Sequence, residues 1–434
     1  MVSFVKSDFV SLTVQKNRIF FFGKIRFLEY AKIFVFLFEN AMKKETWIHA
    51  GWLADGSGEP IRENVLLHIA DGIFREIRIM TEADATLPEL VNLSDSTLLP
   101  PLTDSHLHLF MSGTGDPAIR EKQLHAEFEE MKPVISGHLD QLMGCGVLAV
   151  RDGGDYAGHA LQYRNLYGNK TPVRIMAAGR AWRKEGRYGK LIGRSPGKGR
   201  NLAEAIAAES AGIDHVKIVQ SGINSLKEFG KQTPPQFDSD ELAQAVGVAH
   251  KLGLKVMVHC NGEQPVTSAI AAGCDSVEHG FFMGQENLRR MADLGVFWVP
   301  TAVTMKAYTE HLPQRSPEAE TARRIYLHQT EQIALAKELG VCIALGTDAG
   351  SLGVRHGFSV REELRILMQA GFSVSQAVKC ATHNGAELLG ISHDTGRIAA
   401  GYPAVFLAVK GKPSDLPENL KKVRIFRKHE FALI

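Results

Sequence analysis

Two histidines separated by one residue, His106 and His108, are the side chains in this 434-residue chain that first indicate metal chemistry. They end an apolar run that begins at Thr97. Alternate side chains of a β-strand point to the same face, so both imidazoles would lie together where the strand ends. Neutral imidazole is a common metal ligand, and the pair therefore predicts half of a metal site. Two polar residues leaving a strand for a loop would show the same pattern, so the interpretation depends on ligands elsewhere.

Later apolar segments carry further ligand candidates. His259, His279 and Asp348 each end such a segment, whereas Lys217 lies inside one, between two apolar neighbours. A charged ammonium in a buried strand is costly, and burial lowers the pKa of a lysine towards the neutral amine. Four histidines and a carboxylate at strand ends match the ligand chemistry of zinc or a similar divalent ion.

The elements that must position these side chains follow a repeating pattern. An apolar strand follows a helix-like segment and a glycine, as helix C-caps predict, at Gly146, Gly212, Gly253, Gly273, Gly295 and Gly340. The strand before His106 and the segment 173–178 bring the number of strands to eight. This pattern predicts an α/β fold, a (β/α)8 TIM-type barrel with its chemistry at the C-terminal ends of the strands. A doubly wound open sheet is the alternative, but the first strand–helix junction lacks a glycine-rich phosphate loop.

The two ends of the chain differ from this middle part. Residues 42–98 and 395–434 contain short strands and turns, and they predict one small β-sandwich domain built from both termini around a barrel of residues 99–394. Residues 1–41 are rich in Phe, Ile and Lys, and charged residues interrupt each apolar window long enough to span a membrane. We interpret residues 1–41 as a non-native or disordered N-terminal extension, with an interfacial anchor as the alternative.

Composition limits the function classes. A formal net charge of +2 gives no basis for nucleic-acid binding. The five cysteines are scattered and lack CxxC spacing, which is typical of free thiols in a reducing cytosol. We expect a cytoplasmic homo-oligomer that acts on a small-molecule substrate and has no membrane span.

The ordered motifs of the chain resemble those of the amidohydrolase superfamily. The resemblance covers residues 46–409 and is closest to the binuclear-metal branch of Xaa-Pro dipeptidases, basic-residue carboxypeptidases and imidazolonepropionase-related hydrolases. Its motifs are Pro101–His108, Val150–Gly154, Val216–Ile218, Val258–Gly262, Ser276–Gly280, Val299–Thr301, Gly346–Gly350 and Ala381–Gly390.

The resemblance implies a role for each ligand candidate. His106, His108 and Asp348 would bind the more buried of two divalent ions such as zinc, and His259 and His279 would bind the second. Lys217, carboxylated by CO2, would bridge both ions. A metal-bound hydroxide would attack an amide carbon, and Asp348 would pass a proton to the leaving nitrogen. The implied function is a metal-dependent amidohydrolase that cleaves a carbon–nitrogen bond of N-acyl or peptidyl amino acids or of a cyclic amide.

A basic loop at residues 180–200 follows the third strand and is expected to overhang the site. Arg187 or Tyr188 would bind a substrate carboxylate there, unless the loop is simply a solvated basic segment. Dipeptidase relatives tend to carry a Gly-Gly-His turn at this place, and its absence weakens a dipeptidase assignment. Glu278 precedes His279, and strand alternation points it away from the metals.

Other functions remain open at this stage. A mononuclear aminohydrolase (deaminase) would need one metal on His106, His108, His259 and Asp348 and would not need Lys217. A dipeptidase or carboxypeptidase is a narrower form of the first interpretation. A non-catalytic barrel would be expected to have lost ligands, whereas all six are present.

Overall fold

The computed structural model describes residues 45–427 in full and residues 2–7, 10–15, 18–22 and 430–433 as backbone strands. The described strands are β1 (Val2–Ser7), β2 (Val10–Gln15), β3 (Arg18–Phe22), β4 (Glu45–Leu53), β5 (Arg62–Ala70), β6 (Ile73–Ile79), β7 (Val91–Leu99), β8 (Leu102–Leu107), β9 (Val147–Asp152), β10 (Arg174–Ala177), β11 (Ala181–Trp182), β12 (Gly193–Arg194), β13 (His215–Val219), β14 (Lys255–Cys260), β15 (Ser276–His279), β16 (Phe297–Val299), β17 (Phe406–Lys410), β18 (Val423–Arg427) and β19 (Glu430–Leu433). The described α-helices are α1 (Pro117–Gln123), α2 (Phe128–Gly144), α3 (His159–Tyr167), α4 (Leu202–Glu209), α5 (Ser239–Lys251), α6 (Glu263–Ala271), α7 (Gly284–Leu294), α8 (Val303–His311), α9 (Pro317–Leu339), α10 (Phe358–Gln369), α11 (Val374–Ala381) and α12 (His383–Leu388).

Parallel strands occupy the centre of the molecule. One sheet has the order β10-β9-β8, and a second has the order β12-β11-β13-β14-β15-β16. Helices lie between most of these strands in the chain, with β10, β11 and β12 following one another directly, and apolar side chains of both kinds of element pack into one large buried cluster. Strands buried on both faces are typical of parallel sheets covered by helices. The predicted α/β class with parallel strands is therefore confirmed.

The eighth predicted strand differs from the other seven. The segment 340–349 makes isolated parallel bridges, from Ile343 to Trp298 of β16 and from Ala349 to Leu107 of β8. Asp348 has a φ of 57°, in the left-handed region, which interrupts the extended backbone just before the second bridge. The segment thus contacts both the last and the first of the central strands without forming a regular strand.

A seven-stranded sheet joins the two ends of the described chain. Its order is β19-β18-β17-β7-β4-β5-β6, so that β17, from the C-terminal side, pairs antiparallel with β7, from the N-terminal side. One face packs around a compact apolar cluster that includes Ile48, Leu67, Phe74 and Phe406. The composite origin of this sheet agrees with the sequence pattern. The sandwich arrangement and the limits 42–98, 99–394 and 395–434 stay predictions.

The predicted N-terminal extension at residues 1–41 lies largely outside the described residues. Its described part is an antiparallel sheet of β1, β2 and β3. Within the described parts of the chain, no helix combines the length and the apolar character needed to cross a bilayer.

The substitution Phe406→Ala tests the composite sheet. Phe406 is fully buried, and its ring lies 4.7 Å from that of Phe426 and 6.1 Å from that of Phe74. We expect a loss of about 3–5 kcal/mol in the free energy of unfolding, because the change leaves a cavity in this core. Ile79→Ala, at a 54% exposed position of β6, is the control and should change it by less than about 0.5 kcal/mol. Equal effects in chemical denaturation would contradict the role of Phe406.

Candidate functional site

All six predicted ligand residues line one cavity of about 720 Å³ at the C-terminal ends of the central strands. They are His106 on β8, His108 just after β8, Lys217 on β13, His259 on β14, His279 on β15 and Asp348 in the bridging segment. Parallel strands place their C-terminal ends at one edge, and this brings together side chains that are up to 242 positions apart in sequence.

Three of these residues are close enough to share one ion. Asp348 Oδ1 lies 3.6 Å from His106 Nε2 and 3.4 Å from His108 Nε2. One ligand atom from each residue falls within 4.8 Å of the other two, as in a group able to hold a metal ion. His279 connects this group to His259, since its ring lies 4.8 Å from that of His106 and 4.6 Å from that of His259.

Each histidine is held through one ring nitrogen. For His106 and His108 the partners of Nδ1 are the Glu278 carboxylate and the Gly154 carbonyl oxygen, each at 2.8 Å. His279 Nδ1 lies 2.7 Å from Thr301 Oγ1, and His259 Nε2 lies 3.3 Å from the Gly222 carbonyl oxygen. The second ring nitrogen is left for another partner, which is the arrangement that orients metal-binding histidines.

A buried ion pair supports the first of these histidines. Glu278 accepts a 2.7 Å hydrogen bond from Arg151 Nη2 on one oxygen and contacts His106 Nδ1 with the other. Arg151 also donates to the Ser105 carbonyl oxygen and to Ser276 Oγ. The carboxylate and guanidinium are buried, and their bonds connect β8, β9 and β15. Glu278 does point away from the cavity, as predicted, but it lies against the far side of a candidate ligand.

Electrostatics favour neutral donors in the cavity. Burial, with help from the Lys217 ammonium, lowers the pKa of His108 to about 4 and that of His259 to about 3. Burial likewise lowers the pKa values of His106 and His279. Metals bind the neutral imidazole, so these rings are in the state that a cation requires.

Lys217 is the most unusual member of the set. Its residue is 1% exposed, and its Nζ has no hydrogen-bond partner among the described residues. Burial lowers its pKa, opposed by the negative charge of Glu278. A buried amine with no hydrogen-bond partner among the described residues is costly, which makes Lys217 a candidate for ligand binding or modification.

Asp104 fixes the bridging segment beside β8. Its carboxylate accepts hydrogen bonds from Thr347 N at 2.9 Å and from Thr347 Oγ1 at 2.5 Å, and a weaker one from His106 N at 3.3 Å. Thr347 directly precedes Asp348, whose Oδ2 accepts a bond from Ser351 Oγ. The left-handed backbone at Asp348 is thus held from both sides, as expected for strain kept at a functional position.

The two predicted substrate-binding residues occupy different places. Tyr188 lines the cavity, and its ring lies 5.4 Å from that of His259. Arg187 is absent from the described cavity lining, and its Nη2 donates instead to the Pro234 carbonyl oxygen.

Among the wall residues that sequence reasoning missed are Arg120 on α1 and Tyr308 on α8. Neither belongs to a strand end or a recognisable motif. It also gave no role to Arg151, although an arginine inside an apolar strand segment signals a buried ionic partner.

Comparisons with known proteins give a consistent result. A family model described as "Amidohydrolase family" matches residues 97–429. An uncharacterised protein of Mycobacterium tuberculosis strain H37Rv is 27% identical over 339 residues, which are 77% of this chain and 84% of that protein.

Two further similar proteins have named activities. An ochratoxinase of Aspergillus niger is 26% identical over 422 residues, covering 88% of this chain and 84% of that protein. A crystal structure of a Xaa-Pro dipeptidase with methionine bound in its active site matches with a TM-score of 0.75 at 26% identity, and the match covers 90% of this chain and all of that one.

The substitution Glu278→Gln tests the support of His106. Gln keeps the size of the side chain but removes the charge that orients the imidazole and balances Arg151. We expect the affinity of the protein for Zn²⁺, measured by competition with a chelator, to fall about 10- to 100-fold. Glu286→Gln, on the exposed side of α7, is the control and should have no effect. Unchanged Zn²⁺ affinity in a folded Glu278→Gln protein would contradict the role.

Proposed function

Because the chain belongs to the amidohydrolase family and is a hydrolase that acts on carbon–nitrogen bonds, we propose that it cleaves an amide bond of N-acyl or peptidyl amino acids with two divalent metal ions. The family expected from the motifs is thereby confirmed, and the substrate and the metals are the proposal. The observation that carries it is the convergence of six ligand-type side chains on one cavity, among them a buried lysine whose Nζ has no hydrogen-bond partner in the described part of the chain.

The fold is proposed to be a closed (β/α)8 barrel. Ser105 N of β8 donates to the Leu345 carbonyl oxygen, and Trp298 N of β16 donates to the Cys342 carbonyl oxygen. Hydrogen bonds on both sides of the segment 340–349 support its role as the eighth strand of the barrel. Between β10 and β13, Asp214 N donates to the Ala177 carbonyl oxygen, which supports continuity at the other gap.

The donor set fits a pair of divalent ions such as zinc. His106, His108 and Asp348 would hold one ion, His259 and His279 the other, and a carboxylated Lys217 would bridge them. The lowered pKa of Lys217 favours carboxylation, because only the neutral amine adds to CO2, forming a carbamate and releasing one proton. Bound ions would supply Lewis-acid chemistry, lowering the pKa of a water and polarising the amide carbonyl.

The residues of the chain itself supply positioning and proton transfer. Burial raises the pKa of Asp348, opposed by its hydrogen bond from Ser351 and by the charge of Lys217. A carboxylate with a raised pKa accepts a proton from attacking water and returns it to the leaving nitrogen more readily near neutral pH. Asp348 faces the cavity with 15% of its side chain exposed, so a substrate can reach it.

The proposed setting is the cytoplasm. All five cysteines are free, and four of them are buried, which agrees with a reducing compartment. A homo-oligomer that acts on a small molecule, without nucleic-acid partners, completes the proposal.

The substitution Lys217→Ala tests the two-metal site. We expect bound metal to fall from two ions per chain to one or fewer, because the bridging group is lost. Amide hydrolysis should fall by roughly 1000-fold, corresponding to about 4 kcal/mol of transition-state stabilisation. Elemental analysis of the purified protein measures the first quantity, and steady-state kinetics with a panel of N-acyl amino acids and dipeptides measures the second.

Lys251→Ala, at an exposed position at the end of α5, is the matched control and should retain both metals. One metal per wild-type chain, together with activity that survives Lys217→Ala, would contradict the proposal and favour a mononuclear deaminase.

A further inference from the structure

Arg120 lines the cavity but has no role in the proposed reaction. It lies on α1, a short helix whose N-cap, Asp116, accepts hydrogen bonds from Ala118 N and Ile119 N. Arg120 is half-buried and lines the same cavity as Asp348. It therefore brings a permanent positive charge to the edge of the site.

The guanidinium of Arg120 is fixed by one nitrogen only. Nη1 donates to the Ser112 carbonyl oxygen at 2.9 Å and to the Gly350 carbonyl oxygen at 3.0 Å. Ser112 follows His108 by four residues and Gly350 follows Asp348 by two, so this nitrogen joins the loops that carry both ligands. Nε and Nη2 have no hydrogen-bond partner among the described residues.

Arg120 also makes no ion pair with a described carboxylate. Other partly or fully buried arginines of the chain do, such as Arg151 with Glu278 and Arg194 with Glu209. Burial lowers the pKa of Arg120, opposed by the charges of Tyr308 and Asp348. The Asp348 carboxylate acts on this cation only from beyond ion-pair distance, so an anionic ligand bound directly to the guanidinium would offset part of the cost of burying it.

Tyr308 is the second donor at this wall. It lines the cavity from α8, and its hydroxyl has no hydrogen-bond partner among the described residues. Burial and the charge of Asp348 raise the pKa of Tyr308, and the charge of Arg120 lowers it. The phenol therefore stays protonated, able to donate, and within electrostatic reach of both Arg120 and Asp348.

Apolar side chains form another part of the same wall. Phe110, Phe281 and Met305 line the cavity together with the polar groups. A ligand with an apolar body and an anionic group would match this wall.

We propose that Arg120 and Tyr308 bind a carboxylate of the substrate, Arg120 through its free Nε–Nη2 edge and Tyr308 through its hydroxyl. The planar edge of a guanidinium matches the two oxygens of a carboxylate, which a lysine in the same place would not. The substrate class is then an N-acyl amino acid, bound by the carboxylate of its leaving half. This step rests on the proposed amide hydrolysis and narrows it. It assigns to Arg120 the role predicted for Arg187.

The test separates carboxylate binding from hydrolysis by using ligands that have no amide bond. Binding of 4-phenylbutanoate and of 4-phenylbutan-1-ol to the metal-loaded protein is measured by calorimetry. The two ligands share the apolar body and differ in the charged group. We expect the wild type to bind the carboxylate about 10- to 100-fold more tightly, as for a hydrogen bond to a charged group.

Variants identify the residues that cause this preference. Arg120→Met should reduce it to within about threefold, and Tyr308→Phe, which leaves both loops untouched, should reduce it about fivefold. Arg120→Lys keeps a donor for the Ser112 and Gly350 carbonyl groups but lacks the planar edge, so it should retain only part of the preference.

Lys227→Met is the matched control, because Lys227 is an exposed cation of the same cavity. It should leave the preference within about twofold of the wild-type value. Thermal unfolding of each variant reports whether the fold is retained.

The inference is overturned if the wild type shows no preference, or if the preference persists in folded Arg120→Met and Tyr308→Phe proteins, which would place the carboxylate on the metal ions. Loss of the preference in Lys227→Met or Arg187→Met alone would also overturn it.

Failure of the proposed function has a different signature, namely that no N-acyl amino acid is hydrolysed while the carboxylate preference is present. If hydrolysis occurs, Arg120→Met should lower kcat/KM for N-acetyl-L-phenylalanine by a larger factor than kcat/KM for its carboxamide, because only the first substrate has the carboxylate.

Discussion

The buried pair of Glu278 and Arg151 is the interaction on which the rest of the site depends. Two opposite charges in a region without water are stabilising only when every remaining polar group around them is satisfied. Here bonds to the Ser105 carbonyl oxygen, Ser276 and His106 meet this requirement for the two charged groups themselves. Because these partners belong to β8 and β15, the pair connects strands of two different sheets beneath the cavity. The carboxylate that neutralises the buried charge of Arg151 therefore also orients His106.

The same logic connects the other strand ends. Asp104, Thr347 and the left-handed residue Asp348 form a second polar cluster, in which the buried carboxylate of Asp104 accepts two hydrogen bonds from Thr347. Beside these clusters, Lys217 Nζ and His106 Nε2 are buried and have no hydrogen-bond partner among the described residues. The cavity thus combines ligand candidates that are held by hydrogen bonds with nitrogens that are left for another partner. This contrast is expected where a site is built to receive a ligand.

The parts of this arrangement that follow strand geometry could be predicted from the sequence. A period of two places His106 and His108 on one side, and the C-terminal ends of parallel strands bring His259 and His279 to them. Alternation predicted that Glu278 points away from the cavity, but not that its carboxylate contacts His106 and Arg151. The reason is that alternation gives the direction of a side chain and not its partners. Arg187 and Arg120 show the other limit. Both lie outside the central strands, where no periodicity specifies the direction of a side chain. Only the three-dimensional course of the chain shows that Arg120 lines the cavity and that Arg187 does not.

The seven-stranded sheet has a consequence for how the protein is made. β7 lies between β4 and β17, and roughly 300 residues separate the end of β7 from the start of β17. A ribosome that adds about 5–20 residues per second needs some 15–60 s to supply that partner. During this interval one edge of β7 presents unpaired backbone groups, as an open sheet edge does. The central strands lie between β7 and β17 in sequence and leave the ribosome during this interval. The seven-stranded sheet is therefore completed only after all of these strands have been synthesised.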